Sequence, residues 1–301
     1  MPTAGGKNRV KMVEIKNQYF KVGVLLKGAE LCSLKKIQTC TEYIWQADQE
    51  IWSSHAPNLF PIIGALKDGE VFYEEIAYPL TRHGFIRNNE HVKLKEQSEE
   101  RLVFQLSFSE ETLKLYPFKF DFQISFTLND RTLTISHKIT SLDNKPMYFS
   151  LGGHPAFNAP LFEGETYEDY YLEFDQKLNL KTHLFTDEGL ISEKTAIVTR
   201  NDNKIWLNKG LFDNDALIFK NILSKEVALK SKNKGTILTV QYNDFKHLGI
   251  WAIPAAPFVC IEPWLGYADV EETTKDLKTK KGIMELMPSE TFNASYAITI
   301  A

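Results

Sequence analysis

The sequence predicts an all-β protein, and three features carry the prediction. Apolar and polar residues alternate with period two along most of the chain, and turn residues punctuate it at intervals of roughly 8–12 positions. Helical signals are few and short. Such alternation buries one face of a strand and wets the other, as antiparallel sheets in a sandwich or barrel require. There is no βαβ rhythm, internal repeat or low-complexity linker, so residues 1–301 read as a single domain. Residues 1–11 read as an untethered segment, disordered or extraneous to that domain.

Each element follows from its own residues. LVFQLSF at 102–108 alternates as a strand. Ser109 then offers an N-cap to EETLKLY, and Pro117 stops that short helix. FKFDFQISFTL places Phe118, Phe120, Phe122, Ile124, Phe126 and Leu128 on one parity, hence one face. Asn129-Asp130 turns the chain, and Leu133, Ile135, His137 and Ile139 repeat the pattern, giving the strongest hairpin signal. TILTVQY at 236–242 and FNASYAITI at 292–300 read as further strands, the last paired into a sheet. DVEETTKDLKTKKG offers a turn or two of helix, and its run KDLKTKK at 275–281 reads as a solvated face.

Composition narrows the function. Hydrophobic residues at 43% and charged residues at 25% suffice for a sizeable core in a soluble protein. A net charge of −4 points away from nucleic acid and anionic membranes as partners. No apolar run approaches the ~18 residues of a membrane span, and the N-terminus has no signal-like apolar region, so a cytoplasmic location is expected. Cys32, Cys40 and Cys260 show no zinc spacing and cannot all pair in one chain, which fits a reducing compartment. The oligomeric state stays open between monomer and homodimer.

Four stretches interrupt the alternation with polar residues in apolar or glycine-rich settings: HAPNLFPIIGALKDG, TRHGFIR, GGHPAFN and WAIPAAPFVCIEPWLGYAD. Glu262, at the end of an apolar strand beside Trp264, is desolvated, which raises a carboxyl towards general-base range. The competing reading is a Glu satisfied by backbone amides or a lysine. His91, His183 and His247 lie in polar surroundings and read as surface groups; His137, on an apolar parity, reads as a core histidine. His55, His83 and His154 differ because glycine or proline adjoins or closely follows each. No nucleophile elbow, P-loop, dinucleotide fingerprint or HExxH is present, and the histidines are too dispersed for a metal site. One acid and two or three histidines remain, with Trp251, Trp264, Phe157 and Tyr267. Aromatic faces beside a few hydrogen-bonding groups suit a sugar ring.

Five strings in order, NLFPIIGALKDG, RHGFIR, GGHPAFN, LFDNDALIF and FVCIEPWLGYAD, resemble those of the aldose 1-epimerases, or galactose mutarotases. The likeness is greatest to the bacterial galactose mutarotase-related branch and covers roughly residues 12–300. It implies a β-supersandwich with an open cleft and a cofactor-free interconversion of α and β anomers, without metal. In that scheme His154 is the general acid and Glu262 the general base, on opposite sides of the hemiacetal. His83 binds the sugar, and Asp215, or Asp213 in the alternative register, contacts ring hydroxyls. Asn58 stands where relatives commonly carry an arginine. If RHGFIR is extended, Arg87 shares His83's parity and is a better cleft candidate than Arg82. Trp251 and Phe157 are candidate walls, and Gly152-Gly153 candidate room for the ring. Lys67, Arg82 and Arg87 are available to a hexose 6-phosphate, so the substrate stays open between free and phosphorylated hexose.

Two other classes compete. A non-catalytic sugar-binding or sensing protein needs no acid/base pair. A glycoside hydrolase needs two carboxylates, and only Asp215 is available as partner to Glu262.

Overall fold

The alternating strings form two large antiparallel sheets in the computed structural model, which describes residues 11–301. The proposed untethered segment therefore falls, save for Lys11, outside the described residues. The larger sheet has nine strands, in the order Asp202–Trp206, Tyr170–Leu178, Glu226–Ser231, Gly235–Gln241, Thr291–Ile300, Thr132–Ser141, Phe120–Asn129, Arg101–Ser107 and Lys93–Gln97. Its centre is the hairpin read from the sequence, in register from Thr132 opposite Asn129 to Ser141 opposite Phe120. The strand at 291–300 pairs on both sides.

The second sheet runs Leu217–Phe219, His247–Trp251, Phe258–Leu265, Leu151–Gly153 and Asn58–Leu59, and Ala156–Asn158 also pairs with Phe258–Leu265. This sheet carries four of the five strings that mark the resemblance. A three-stranded sheet (Met12–Lys16, Phe20–Leu25, Glu30–Lys36) and three two-stranded pairs complete the architecture. The β-supersandwich expected from the sequence is the fold observed.

Aromatic packing joins the two large sheets. Phe60 meets Phe122 and Phe120 with ring centroids 4.7 and 5.3 Å apart, and all three are fully buried. Burial of such side chains is worth about 1.5–3 kcal/mol each. His137 extends its strand's buried face: its Nε2 lies 2.9 Å from Asn58 Oδ1, and Asn58 Nδ2 donates to the carbonyls of Gly28 and Ala29. The second sheet is thereby pinned to the first from beneath.

Helix is scarce, as expected. Glu110–Leu115 is the α-helix, capped by Ser109, whose Oγ accepts from Thr112 N. The sequence DVEETTKDLKTKKG gives only one 3₁₀ turn, Leu277–Thr279. KDLKTKK is not a solvated face throughout, because Lys280 is buried and Lys275 pairs with Asp68 and Glu70. Among the described residues no helix is long and apolar enough to cross a membrane.

Candidate functional site

Period two in the strand Phe258–Leu265 puts Cys260, Glu262 and Trp264 on one face. His154 follows the adjoining strand Leu151–Gly153, which pairs with Phe258–Leu265. The result brings Glu262 Oε2 to 3.2 Å from His154 Nε2, with the residues 1% and 6% exposed. The two atoms are close without being aligned as a hydrogen bond, and Oε2 has no hydrogen-bond partner. Acid and base candidates therefore sit side by side rather than on opposite sides of a bound ring.

They lie in a cleft lined also by Trp52, Arg82, His83, Arg87, Asp215 and Trp251. The imidazole of His154 is boxed by aromatic rings: Trp52 stacks on it at 5.1 Å, and Trp251 meets it edge-on at 5.8 Å. His83 lies at 5.5 Å, also edge-on.

Electrostatics follows from burial. Desolvation pushes the Glu262 carboxyl well above its ordinary range, with Arg87 opposing and Asp215 adding to the rise. Desolvation pushes His154 down to about 3, helped by Arg87. His83 is held well below its usual value by burial and by its cationic neighbours. Both charged forms of the Glu262–His154 pair are thus costly at this depth of burial.

Cys260 Sγ, His154 and Glu262 offer three donor atoms within 4.8 Å of one another. The strand parity of Cys260 and Glu262 was visible in the sequence, but the approach of His154 depends on strand pairing. Arg87 lies beside this trio and burial keeps the Cys260 thiol protonated, so the group suits proton transfer better than cation binding.

A family model described as aldose 1-epimerase matches residues 11–275. The chain belongs to the aldose 1-epimerase family. A galactose mutarotase related enzyme from Lactobacillus acidophilus is 35% identical, superposes with a TM-score of 0.91 and shares 97% coverage of both chains. A galactose mutarotase-like protein from Lactobacillus casei is 29% identical, with a TM-score of 0.89, over 97% of this chain and 100% of that one. Protein LacX (plasmid) of Lactococcus lactis subsp. lactis is 35% identical over 298 residues, 96% of this chain and 99% of its own length.

Of the residues expected at the site of this family member, His154, Glu262, His83, Arg87, Asp215 and Trp251 share the cleft. Asn58 and Phe157 do not. Asn58 is 2% exposed and spends its amide on His137, Gly28 and Ala29 behind the cleft. Phe157 is fully buried on the strand Ala156–Asn158, in the core beneath. The aromatic walls are Trp52, Phe185, Trp251 and Trp264 instead. Gly152 and Gly153 do not make room for a ring either. A Cβ at Gly152 would lie 2.8 Å from Trp264, and one at Gly153 would lie 2.6 Å from the Tyr296 hydroxyl. These glycines admit protein side chains, and Gly249 clears the other side of the same indole.

RHGFIR is not extended. His83 and Gly84 take left-handed φ of 67° and 74°, and a 3₁₀ turn over Ile86–Asn88 follows. The parity argument fails, yet the turn presents both Arg82 and Arg87 to the cleft. Arg87 Nη2 donates to Ser54 Oγ at 3.1 Å. Of the two candidate aspartates, Asp215 lines the cleft and Asp213 is exposed outside it. His247 is no surface group: it is buried, its Nδ1 accepts from Asn221 N, and desolvation lowers its pKa to about 4. Trp52 was missed altogether, since nothing in EIWSSHAP distinguishes it from an ordinary core tryptophan.

Proposed function

We propose that the protein is an aldose 1-epimerase, interconverting the α and β anomers of a hexose or hexose 6-phosphate. The observation that carries this reading is the buried Glu262–His154 pair, 3.2 Å apart in an aromatic cleft. The two oxygens that exchange protons, the anomeric O1 and the ring O5, are bonded to the same carbon. An adjacent acid and base therefore fit the demand.

Burial keeps the pair's one proton on Glu262. In the proposed reaction it passes to His154 when the sugar binds, leaving Glu262 a carboxylate steadied by Arg87. Glu262 takes the O1 proton as His154 gives its own to O5; the C1–O5 bond breaks and C1=O1 forms. Both side chains are then neutral. Because burial penalises both charges, their disappearance favours ring opening. Rotation about C1–C2 turns the aldehyde over. On closure O5 attacks C1, returning its proton to His154 while O1 recovers one from Glu262. Each positioned transfer is worth about 10²–10⁴-fold.

His83, Arg87 and Asp215 serve as donors and acceptor for ring hydroxyls, and Trp251 as an apolar wall. Polarimetry of freshly dissolved α-glucose, α-galactose and their 6-phosphates tests the reading. Equilibration faster than in buffer, in proportion to protein, supports it; sugar binding without acceleration leaves a binding protein.

A further inference from the structure

Lys280 and Asp269 form an ion pair far from any need of the acid/base chemistry. Their side chains are each 2% exposed, with Nζ 2.7 Å from Oδ1. Burying two charges is costly unless their remaining hydrogen-bonding capacity is also met. Here Lys280 Nζ donates again to the Tyr267 carbonyl at 2.9 Å, and Asp269 Oδ2 accepts from Lys67 N at 3.0 Å. The Asp269 backbone does the same work: its N–H donates to Ala65 O at 2.9 Å, and its carbonyl accepts from Ile191 N at 2.8 Å.

Three chain segments thus meet at Asp269, one through its backbone and carboxylate and one through its backbone alone. Each contributes to the cleft: Gly64 and Ala65 from the first, Gly189 from the next, Trp264 and Ala268 from Asp269's own. The first segment also holds His83. Gly64 O accepts from His83 N at 3.0 Å, and Gly64 N–H donates to His83 Nδ1 at 3.2 Å. A ring nitrogen that accepts carries no proton, so the neutral imidazole keeps its proton on Nε2.

We propose that Asp269 and Lys280 are positioning residues for substrate recognition. They fix the Gly64–Lys67 segment and, through Gly64, set the tautomer and orientation of His83, making it a standing Nε2–H donor to a sugar oxygen. The sugar contact rests on the mutarotase reading, whereas the tautomer does not.

The test uses the full chain as wild type, as Lys280→Met, as Asp269→Asn and as the double variant Asp269→Leu/Lys280→Met. The double variant replaces the pair by apolar side chains, which buried ion pairs commonly tolerate when single removal does not. Nitrogen-15 NMR of the histidines near neutral pH, assigned with His83→Gln, reads the tautomer without turnover. Wild-type protein shows His83 as the Nε2–H form. The double variant shows a mixture, and its KM for the sugar rises about tenfold, the worth of one hydrogen bond, while kcat stays within about threefold. A folded double variant with the Nε2–H tautomer and KM both unchanged overturns the proposal, as does a fall in kcat at constant KM. A tautomer change in a protein that equilibrates no sugar upholds the positioning role and sinks the mutarotase reading instead.

Discussion

Glu262→Gln separates catalysis from stability. The wild-type carboxyl is 1% exposed, and Oε2 has no hydrogen-bond partner. Burial raises it well above its ordinary value of 4.5, so the folded chain holds this proton at pH values where the unfolded chain has released it. The unfolded state then binds fewer protons, and stability falls as pH rises from 4.5 through the raised folded value. Gln carries no charge and escapes that loss. The variant should therefore equal or exceed wild type near pH ~8 by about 1–2 kcal/mol, a Tm gain of a few degrees, with the gain vanishing near pH ~4. Its kcat should fall by about 10²–10⁴-fold, or roughly 2.7–5.4 kcal/mol of transition-state stabilisation. Polarimetry and thermal unfolding at both pH values check the two halves. A variant that keeps more than about a tenth of wild-type kcat refutes the base. One less stable than wild type at the higher pH refutes the desolvation argument.

Further outcomes follow from the same geometry. Desolvation holds His137 and His154 down to about 3 and His247 to about 4, so the unfolded chain takes up protons that the folded chain refuses. Urea unfolding should show stability falling as pH drops from the ordinary value of 6.5 towards those values, steeply enough to require uptake of more than one proton. Asp215→Asn should raise KM by about tenfold in steady-state kinetics, whereas Asp213→Asn, outside the cleft, should leave it unchanged. Trp251→Ala should cost about 0.5–1.5 kcal/mol of sugar binding, a roughly 2–10-fold rise in Kd by titration calorimetry.

Much of the fold was legible because one face of each long strand is buried and the other wet. FKFDFQISFTL and its return strand cannot slip by one residue without exposing phenylalanines, and Ser109 caps its helix by short-range geometry alone. The proximity of Glu262 and His154 was foreshadowed by the five strings, since parity places Glu262 and pairing brings His154 to it. Longer-range relations were not legible. Asn58 looked like a cleft residue because it stands where relatives commonly carry an arginine, but His137, 79 positions away, claims its side chain. Phe157 follows His154 by three residues, and the pairing of Phe157 with Val259 turns it into the core. Lys280 sat in a lysine-rich run indistinguishable from a solvated one until Asp269 supplied a buried counter-charge. Glycines 152 and 153 advertised space without saying whose, and Trp264 and Tyr296 fill it.

Exchange spectroscopy of the anomeric protons, on an equilibrated hexose with wild-type protein and with His154→Asn, tests the proton relay most directly. It follows α-to-β conversion itself, with no net reaction to confuse binding with turnover. The account predicts cross-peaks between the two anomeric protons that grow with wild-type concentration and fall to the buffer level in the variant. Cross-peaks of equal strength from both proteins, or none from either with any hexose or hexose 6-phosphate, would contradict it.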